Sequence, residues 1–262
     1  MSTHACVSNP VVVLGASNVA LNLRRILRLV SGQVSHPHHF LVASGHGRSY
    51  GTSSAVLFRH LPGIRHCGLW EALENTVGPT RALVTDIGND ILYGQSPQTI
   101  LQWIGECMDR LAAREARIVI TDLPLASIDR LSPAWFNLFC SMLFPARSIT
   151  LGDAVARAHE VSRGLKQFAH LPHVTLVRQE FSWYGLDPIH IRPRWRERAW
   201  RHILDSWSND PSQASLPRPS ALHRWPACLH LLTPHRRRLF RVNQSRPQPC
   251  VHREDGSCLS LY

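Results

Sequence analysis

Four polar residues in this chain have the types and settings that acyl chemistry needs. Ser17 follows Val11-Val12-Val13-Leu14-Gly15-Ala16, Asn89 lies within Gly88-Asn89-Asp90, and Asp187 and His190 share a Pro-containing turn. A serine hydroxyl becomes a nucleophile when an imidazole takes its proton, and a carboxylate beside that imidazole holds its tautomer and stabilises the imidazolium. A side-chain amide can donate to the oxyanion that develops during attack on a carbonyl. Each residue also has a plainer reading. Serine is a preferred helix N-cap, Gly-Asn-Asp is ordinary turn chemistry, and Asp187 with His190 could be a polar surface turn.

The elements that must position them are legible. The apolar run ending at Leu14 reads as a strand buried on both faces of a parallel sheet, and Gly15 allows a tight turn. Residues 19–30 then carry apolar Leu23, Ile26, Leu27 and Val30 at helical spacing, with Arg24, Arg25 and Arg28 opposite. Ser17 therefore stands where a strand's carboxyl end becomes a helix N-terminus, which favours negative charge. A second strand, Phe40-Leu41-Val42-Ala43, runs into the glycine-rich Ser44-Gly45-His46-Gly47-Arg48-Ser49-Tyr50-Gly51. That loop has neither the GxGxxG nor the P-loop spacing; it is a plain turn or a presenter of backbone N–H groups beside Ser17. Strands over residues 81–86, 117–121 and 173–177 alternate with helices over about 96–111, 132–145 and 150–170. A last helix runs from Trp195 to Trp207. This alternation predicts a three-layer α/β/α sandwich around a central, mostly parallel five-stranded sheet.

Composition bounds the rest. The chain has 262 residues and a formal net charge of +11, with Lys166 its only lysine. Residues 209–262 carry eight Arg against Asp210, Glu254 and Asp255, together with seven Pro and no clear periodicity. That stretch reads as a disordered or loosely docked extension of a domain spanning 10–208, with 1–9 a short lead. No apolar run is long enough to span a membrane, and residues 1–6 have no signal-peptide character, so the expected compartment is the cytoplasm. Seven scattered cysteines without close pairing read as free thiols. His36, His38 and His39 lack an acid or cysteine to complete a ligand set; they read as solvated loop histidines, and no metal or cofactor is expected. Loops at 46–64, 91–99 and 122–135 would line a binding site. Arg48, Tyr50, Tyr93, Trp135 and Phe136 suggest a mixed pocket rather than a long acyl tunnel, although a solvated Arg48 is the simpler expectation.

Gly-x-Ser after the first strand, a glycine-rich turn after the second, Gly-Asn-Asp after the third and Asp-x-x-His before the last helix together resemble the SGNH (GDSL-like) hydrolase superfamily. The resemblance covers residues 10 to about 208 and implies the flavodoxin-like SGNH hydrolase fold. It implies Ser17 as nucleophile, His190 as base, Asp187 as its partner, and an oxyanion hole of the Ser17 N–H, the Gly45 N–H and the Asn89 amide. Gly47 competes with Gly45. The chain departs from the family in reading Gly-Ala-Ser where Gly-Asp-Ser is usual. The implied activity is that of a serine esterase on a small-molecule ester, with no specific nucleic-acid or membrane partner. An acyltransferase using the same triad, or an idle scaffold with a polyanion-binding basic tail, are the alternatives.

Overall fold

Residues 11–14 are wholly excluded from solvent, which is the environment their β-branched and aliphatic side chains select. They form the centre of β1 (Asn9–Leu14), whose neighbours β2 (His38–Ala43) and β5 (Arg81–Val84) pair with it in parallel. Beyond β5 lie β6 (Arg117–Thr121) and β7 (Val174–Val177), also parallel. The computed structural model describes residues 9–33, 37–56, 58–143, 149–207, 225, 226, 228, 229 and 232–262. The lead over 1–8 and His36 lie outside the described residues.

Side chains alternate across this sheet and build a core on each face. Val12, Leu14, Leu41, Val84 and Ile118 pack with α2 (Leu69–Glu74), α4 (Pro97–Ala112) and α7 (Leu151–Phe168). Val11, Val13, Phe40, Leu83 and Val119 pack with α1 (Ser17–Ser31) and α8 (Arg196–Asp205). The result is the expected three-layer α/β/α architecture. Short helices α3 (Asn89–Leu92), α5 (Leu125–Ile128) and α6 (Pro133–Leu143) lie over the carboxyl edge of β5 and β6. Helix starts follow local chemistry: Ser96 Oγ accepts from Thr99 N–H at 3.1 Å, with Pro97 at the first helical position, and Thr150 Oγ1 accepts from Asp153 N–H at 3.1 Å. No helix among the described residues is long and apolar enough to cross a membrane.

Two expectations are corrected here. The sheet has seven strands rather than five, in the order β10-β11-β2-β1-β5-β6-β7. Its additional strands, β10 (Val251–His252) and β11 (Cys258–Leu261), come from the stretch read as a disordered or loosely docked extension. β11 pairs in parallel with β2, and Leu259 is completely buried in the α1/α8 core. The same stretch supplies β8 (Arg236–Leu239) and β9 (Val242–Ser245), which join β3 (Ser54–Val56) and β4 (Arg59–Leu61) in a second, antiparallel sheet. The open edge of β2 and the unpartnered apolar face beside Phe40 are the physical reason: a strand that closes both gains ladder hydrogen bonds and buried area. His38 and His39 also depart from the solvated-loop reading. Both lie in β2; His38 is fully buried and His39 Nε2 contacts Ser260 Oγ at 2.9 Å.

Because Leu259 contributes to the core, Leu259→Ala is expected to lower stability by about 2–5 kcal/mol. Urea denaturation followed by fluorescence checks this. A cost near zero is the result a loosely attached tail would give.

Candidate active site

Parallel register brings the pieces to one edge. Leu14 stands level with Ala43 on one side and Val84 on the other, so the loops after β1, β2 and β5 all leave at the same height. Gly15 sits in the tightest of these turns: a Cβ there would lie 2.5 Å from Val19 Cγ2 and 2.9 Å from Thr85 Cγ2. Ser17 is the first residue of α1 rather than its cap, and no side chain of the Ala16 cap position satisfies the helix start.

The helix start is satisfied from elsewhere. Asp86, just past β5, takes the left-handed conformation (φ 59°) that aspartate tolerates better than most residues. Its Oδ2 accepts from Ala16 N–H at 2.8 Å and Asn18 N–H at 3.0 Å. Its Oδ1 accepts from the Asn18 side-chain amide at 2.9 Å. Asn18 also donates to the Ile189 carbonyl at 2.7 Å, and its Oδ1 accepts from Ile191 N–H at 3.0 Å. One side chain thus ties the Ser17 turn to the loop that carries Asp187 and His190.

That loop is held locally as well. Asp187 Oδ1 accepts from the N–H groups of Ile189 and His190 at 3.0 and 3.1 Å, the Asx-turn arrangement. Asp187 Oδ2 lies 2.6 Å from His190 Nδ1, and His190 Nε2 lies 2.8 Å from Ser17 Oγ. A carboxylate can only accept, so in the neutral ring Nδ1–H donates to Asp187 and Nε2 accepts from the Ser17 hydroxyl. Partial burial pushes the Asp187 carboxyl up. The hydrogen bond from the His190 ring, the attraction to that ring and the two backbone N–H groups outweigh it and hold the carboxyl below its ordinary value of 3.8.

Ser17, Asn89 and Asp187 border one cavity of about 400 Å³. Asn89 is largely buried, and its amide donates to the Arg48 carbonyl over a long 3.4 Å, leaving a second N–H. Gly45 is not on this wall. It lies on the other side of Ser17, at the end of β2, where its Cβ position is 3.2 Å from Arg59 Nη2. Gly47 (φ 61°) shares that loop and accepts from the Tyr93 hydroxyl at 2.8 Å. Asp90 anchors the loop from below: it accepts from Tyr50 N–H at 2.9 Å and from the Ser49 hydroxyl.

The mixed pocket expected from the loops is corrected. The cavity wall is overwhelmingly apolar, with Ile87, Leu123, Ile128, Trp135, Phe136 and Leu186 among its residues. Trp135 and Phe136 reach it, whereas Arg48, Tyr50 and Tyr93 do not. Arg48 is neither solvated nor at the site. It is completely buried and donates to the carbonyls of Ser44, Pro62 and Tyr262. Tyr50 is buried with its hydroxyl on the Thr85 carbonyl at 2.7 Å. Among the described residues, no group of three or more His, Cys, Asp or Glu is arranged to hold a metal. Asp86 and Asn18 were not singled out from sequence, where one reads as a strand end and the other as helix-start chemistry. The position of an acid directly after a buried strand is the only signal that pointed to Asp86.

No family model matches the chain, and no curated protein matches it by sequence. Solved structures do match. A carbohydrate acetylesterase family member from Sinorhizobium meliloti aligns at a TM-score of 0.51 and 13% identity, covering 76% of this chain and 97% of its own. The psychrotrophic esterase EstA from Pseudoalteromonas sp. aligns at 0.49 and 14%, covering 77% and 97%. A member of the lipolytic protein G-D-S-L family from Veillonella parvula aligns at 0.44 and 11%, covering 79% and 100%. The chain thus shares the fold of the Sinorhizobium meliloti carbohydrate acetylesterase family member. At such identity the likeness concerns the fold, and activity has to be argued from the site.

The Asp187 carboxyl, depressed in the folded chain, stabilises the fold fully above its unfolded value, and that contribution is lost as pH falls through the lower folded value. Asp187→Asn is therefore expected to lower Tm at pH 7, with the gap to wild type closing below about pH 4, the ordinary carboxylate range. Thermal unfolding across acid pH checks it; a gap that stays constant contradicts it.

Proposed function

We propose that the protein is a serine esterase acting through Ser17, His190 and Asp187. The observation that carries this reading is the continuous relay from Asp187 Oδ2 through both ring nitrogens of His190 to Ser17 Oγ, at 2.6 and 2.8 Å, opening on a cavity. His190 Nε2 takes the Ser17 proton as Oγ bonds to the ester carbonyl carbon. The carbonyl π electrons move onto oxygen, where the Ser17 N–H at the start of α1 and the Asn89 amide stand to donate, with Gly45 or Gly47 from the β2 side. The tetrahedral intermediate collapses, the carbon–oxygen bond to the alcohol breaks, and the imidazolium protonates the leaving alkoxide. Water then attacks the acyl-Ser17 ester by the same path and releases the acid.

Asp187 keeps Nδ1 protonated, so in the neutral ring Nε2 faces the nucleophile as an acceptor. Asn18 and Asp86 are positioning residues: they touch no reacting atom but set the Ser17 turn and the His190 loop in one frame. The apolar cavity beside Ser17 suits an acyl group. Its low polarity strengthens the interactions at the oxyanion.

Hydrolysis of p-nitrophenyl esters by wild type and Ser17→Ala tests the reading. Wild-type turnover is expected and should vanish in the variant, together with labelling by a fluorophosphonate. Asn89→Ala is expected to cost on the order of 10²–10³ in kcat while labelling persists. Undiminished turnover in Ser17→Ala would sink the proposal.

A further inference from the structure

The second, antiparallel sheet ends in an apex whose residues its own packing does not call for. β3 and β4 form one hairpin and β8 and β9 another, and β4 runs antiparallel to β8 with Arg59 level with Leu239. Both turns therefore lie at the same end of the sheet. Phe58 stands in the first turn and Phe240 in the second, and the Phe240 N–H donates to the Phe58 carbonyl at 3.1 Å. Their rings stack with centroids 5.2 Å apart and 22° between the planes. Even so they are 69% and 67% exposed, and Val242, which follows the second turn, is 60% exposed. Single exposed apolar side chains are commonplace, whereas several gathered on one apex mark an interaction surface.

The backbone sharpens the point. Phe58 has φ 62°, and Phe240 and Arg241, the two central residues of the β8–β9 turn, have φ 45° and 67°. Hairpin turns with positive φ at both central residues are usually made by Asn and Gly, which take that conformation at little cost. A bulky Phe in each turn is the poorer choice for folding, and strain of this kind gathers at functional surfaces. Charge completes the pattern. Residues 53–61 and 235–246, which span the two hairpins, contain Arg59, Arg236, Arg237, Arg238, Arg241 and Arg246 and no Asp or Glu. Further back along the strands, a groove of about 570 Å³ is bordered by His60, Arg236, Arg237 and Arg238 with Asn243 and Gln244. Burial and then repulsion from Arg237 lower the pKa of the half-buried Arg59, so these cations crowd one another. Crowded cations favour an anionic partner.

From this arrangement we infer that the second sheet is a docking element for an anionic lipid surface: Phe58, Phe240 and Val242 enter the interface, and the arginines behind them face the head-group phosphates. An apolar tip and a basic flank bind together where either alone binds weakly. The contact is with the membrane surface; no helix among the described residues is long and apolar enough to cross it. The inference replaces the expectation of no membrane partner and stands independently of the hydrolase reading. A single-stranded nucleic acid would also meet arginine, but bases stack on ring faces laid along a sheet or groove. Here the two rings stack on each other at the apex, and Val242 has no ring to offer.

Co-sedimentation with phosphatidylcholine vesicles, and with vesicles of phosphatidylcholine and phosphatidylglycerol in equal parts, tests the inference. Wild type is expected to bind the mixed vesicles and scarcely the neutral ones, with binding that weakens as salt is raised. Phe58→Asn/Phe240→Asn should lower the partition constant roughly 10-fold or more, given the apolar area that two Phe rings bury. Its Tm should stay level or rise, because Asn suits the left-handed backbone, so the loss is not one of folding. Phe58→Trp/Phe240→Trp should keep the binding, since Trp favours the membrane interface. Arg238→Glu/Arg241→Glu should lose the preference for the anionic vesicles. A wild type that binds neither vesicle, or a Phe58→Asn/Phe240→Asn variant that binds as wild type does, overturns the inference. So does capture of single-stranded oligothymidine in place of the mixed vesicles, which assigns the surface to nucleic acid, or a dimer that this variant dissolves without any vesicle binding.

Discussion

The Asp86 carboxylate is the contact on which the site's geometry depends. A helix beginning directly after a buried strand presents unsatisfied N–H groups where water has little access, and leaving them unpaired is costly. Ala16 has no side-chain acceptor to offer. Asp86 supplies one from the neighbouring strand's end, binding the Ala16 and Asn18 N–H groups and the Asn18 amide together. The Asn18 amide is then left with one fixed orientation, its remaining N–H and its oxygen aimed at Ile189 and Ile191. Ser17 and His190 are 173 residues apart in the chain, yet their 2.8 Å contact follows from this short sequence of bonds. The two groups that would exchange a proton are held by a scaffold that takes no part in the exchange.

Much of this was legible in the amino-acid sequence because it depends on local pattern. β-Branched runs ending in glycine or Gly-Asn-Asp mark central parallel strands and their carboxyl edge, and such edges gather ligand-binding residues whatever the exact register. What escaped depends on partners distant in the chain. β11 is only four residues long, Cys258–Leu261, inside a Pro- and Arg-rich stretch with no periodicity, and its strand character comes from pairing with β2. The two-residue β10 and the short strands of the second sheet are of the same kind, since strand preference is decided largely by neighbours. Composition spoke for disorder there, and tertiary pairing overruled it.

Arg48 fails for a related reason. A guanidinium in a glycine-rich loop reads as solvated, since charged side chains are mostly exposed. Its burial requires several carbonyl acceptors converging from separate segments, and Ser44, Pro62 and Tyr262 provide them. No feature within ten residues of Arg48 announces the last of these. The apolar character of the cavity was hidden in a similar way. Trp135 and Phe136 were visible as candidates, but Ile87, Leu123 and Leu186 each stand next to polar turn residues and reach the cavity only because the edge of the sheet gathers three loops around it.

The surroundings of Ser17 also follow from topology. β1 is flanked by β5, whose edge leads into helices α3, α5 and α6, and by β2, whose edge leads into a glycine-rich loop and the small antiparallel sheet. Helices packed over an edge bury side chains and close off a cavity, and Ile87, Leu123 and Phe136 line the one that borders Ser17. On the loop side the Arg59 guanidinium comes within 3.2 Å of the Cβ position of Gly45. Ser17 stands between the two because β1 stands between β5 and β2, and the apolar surroundings on the helical side strengthen any electrostatic interaction made there.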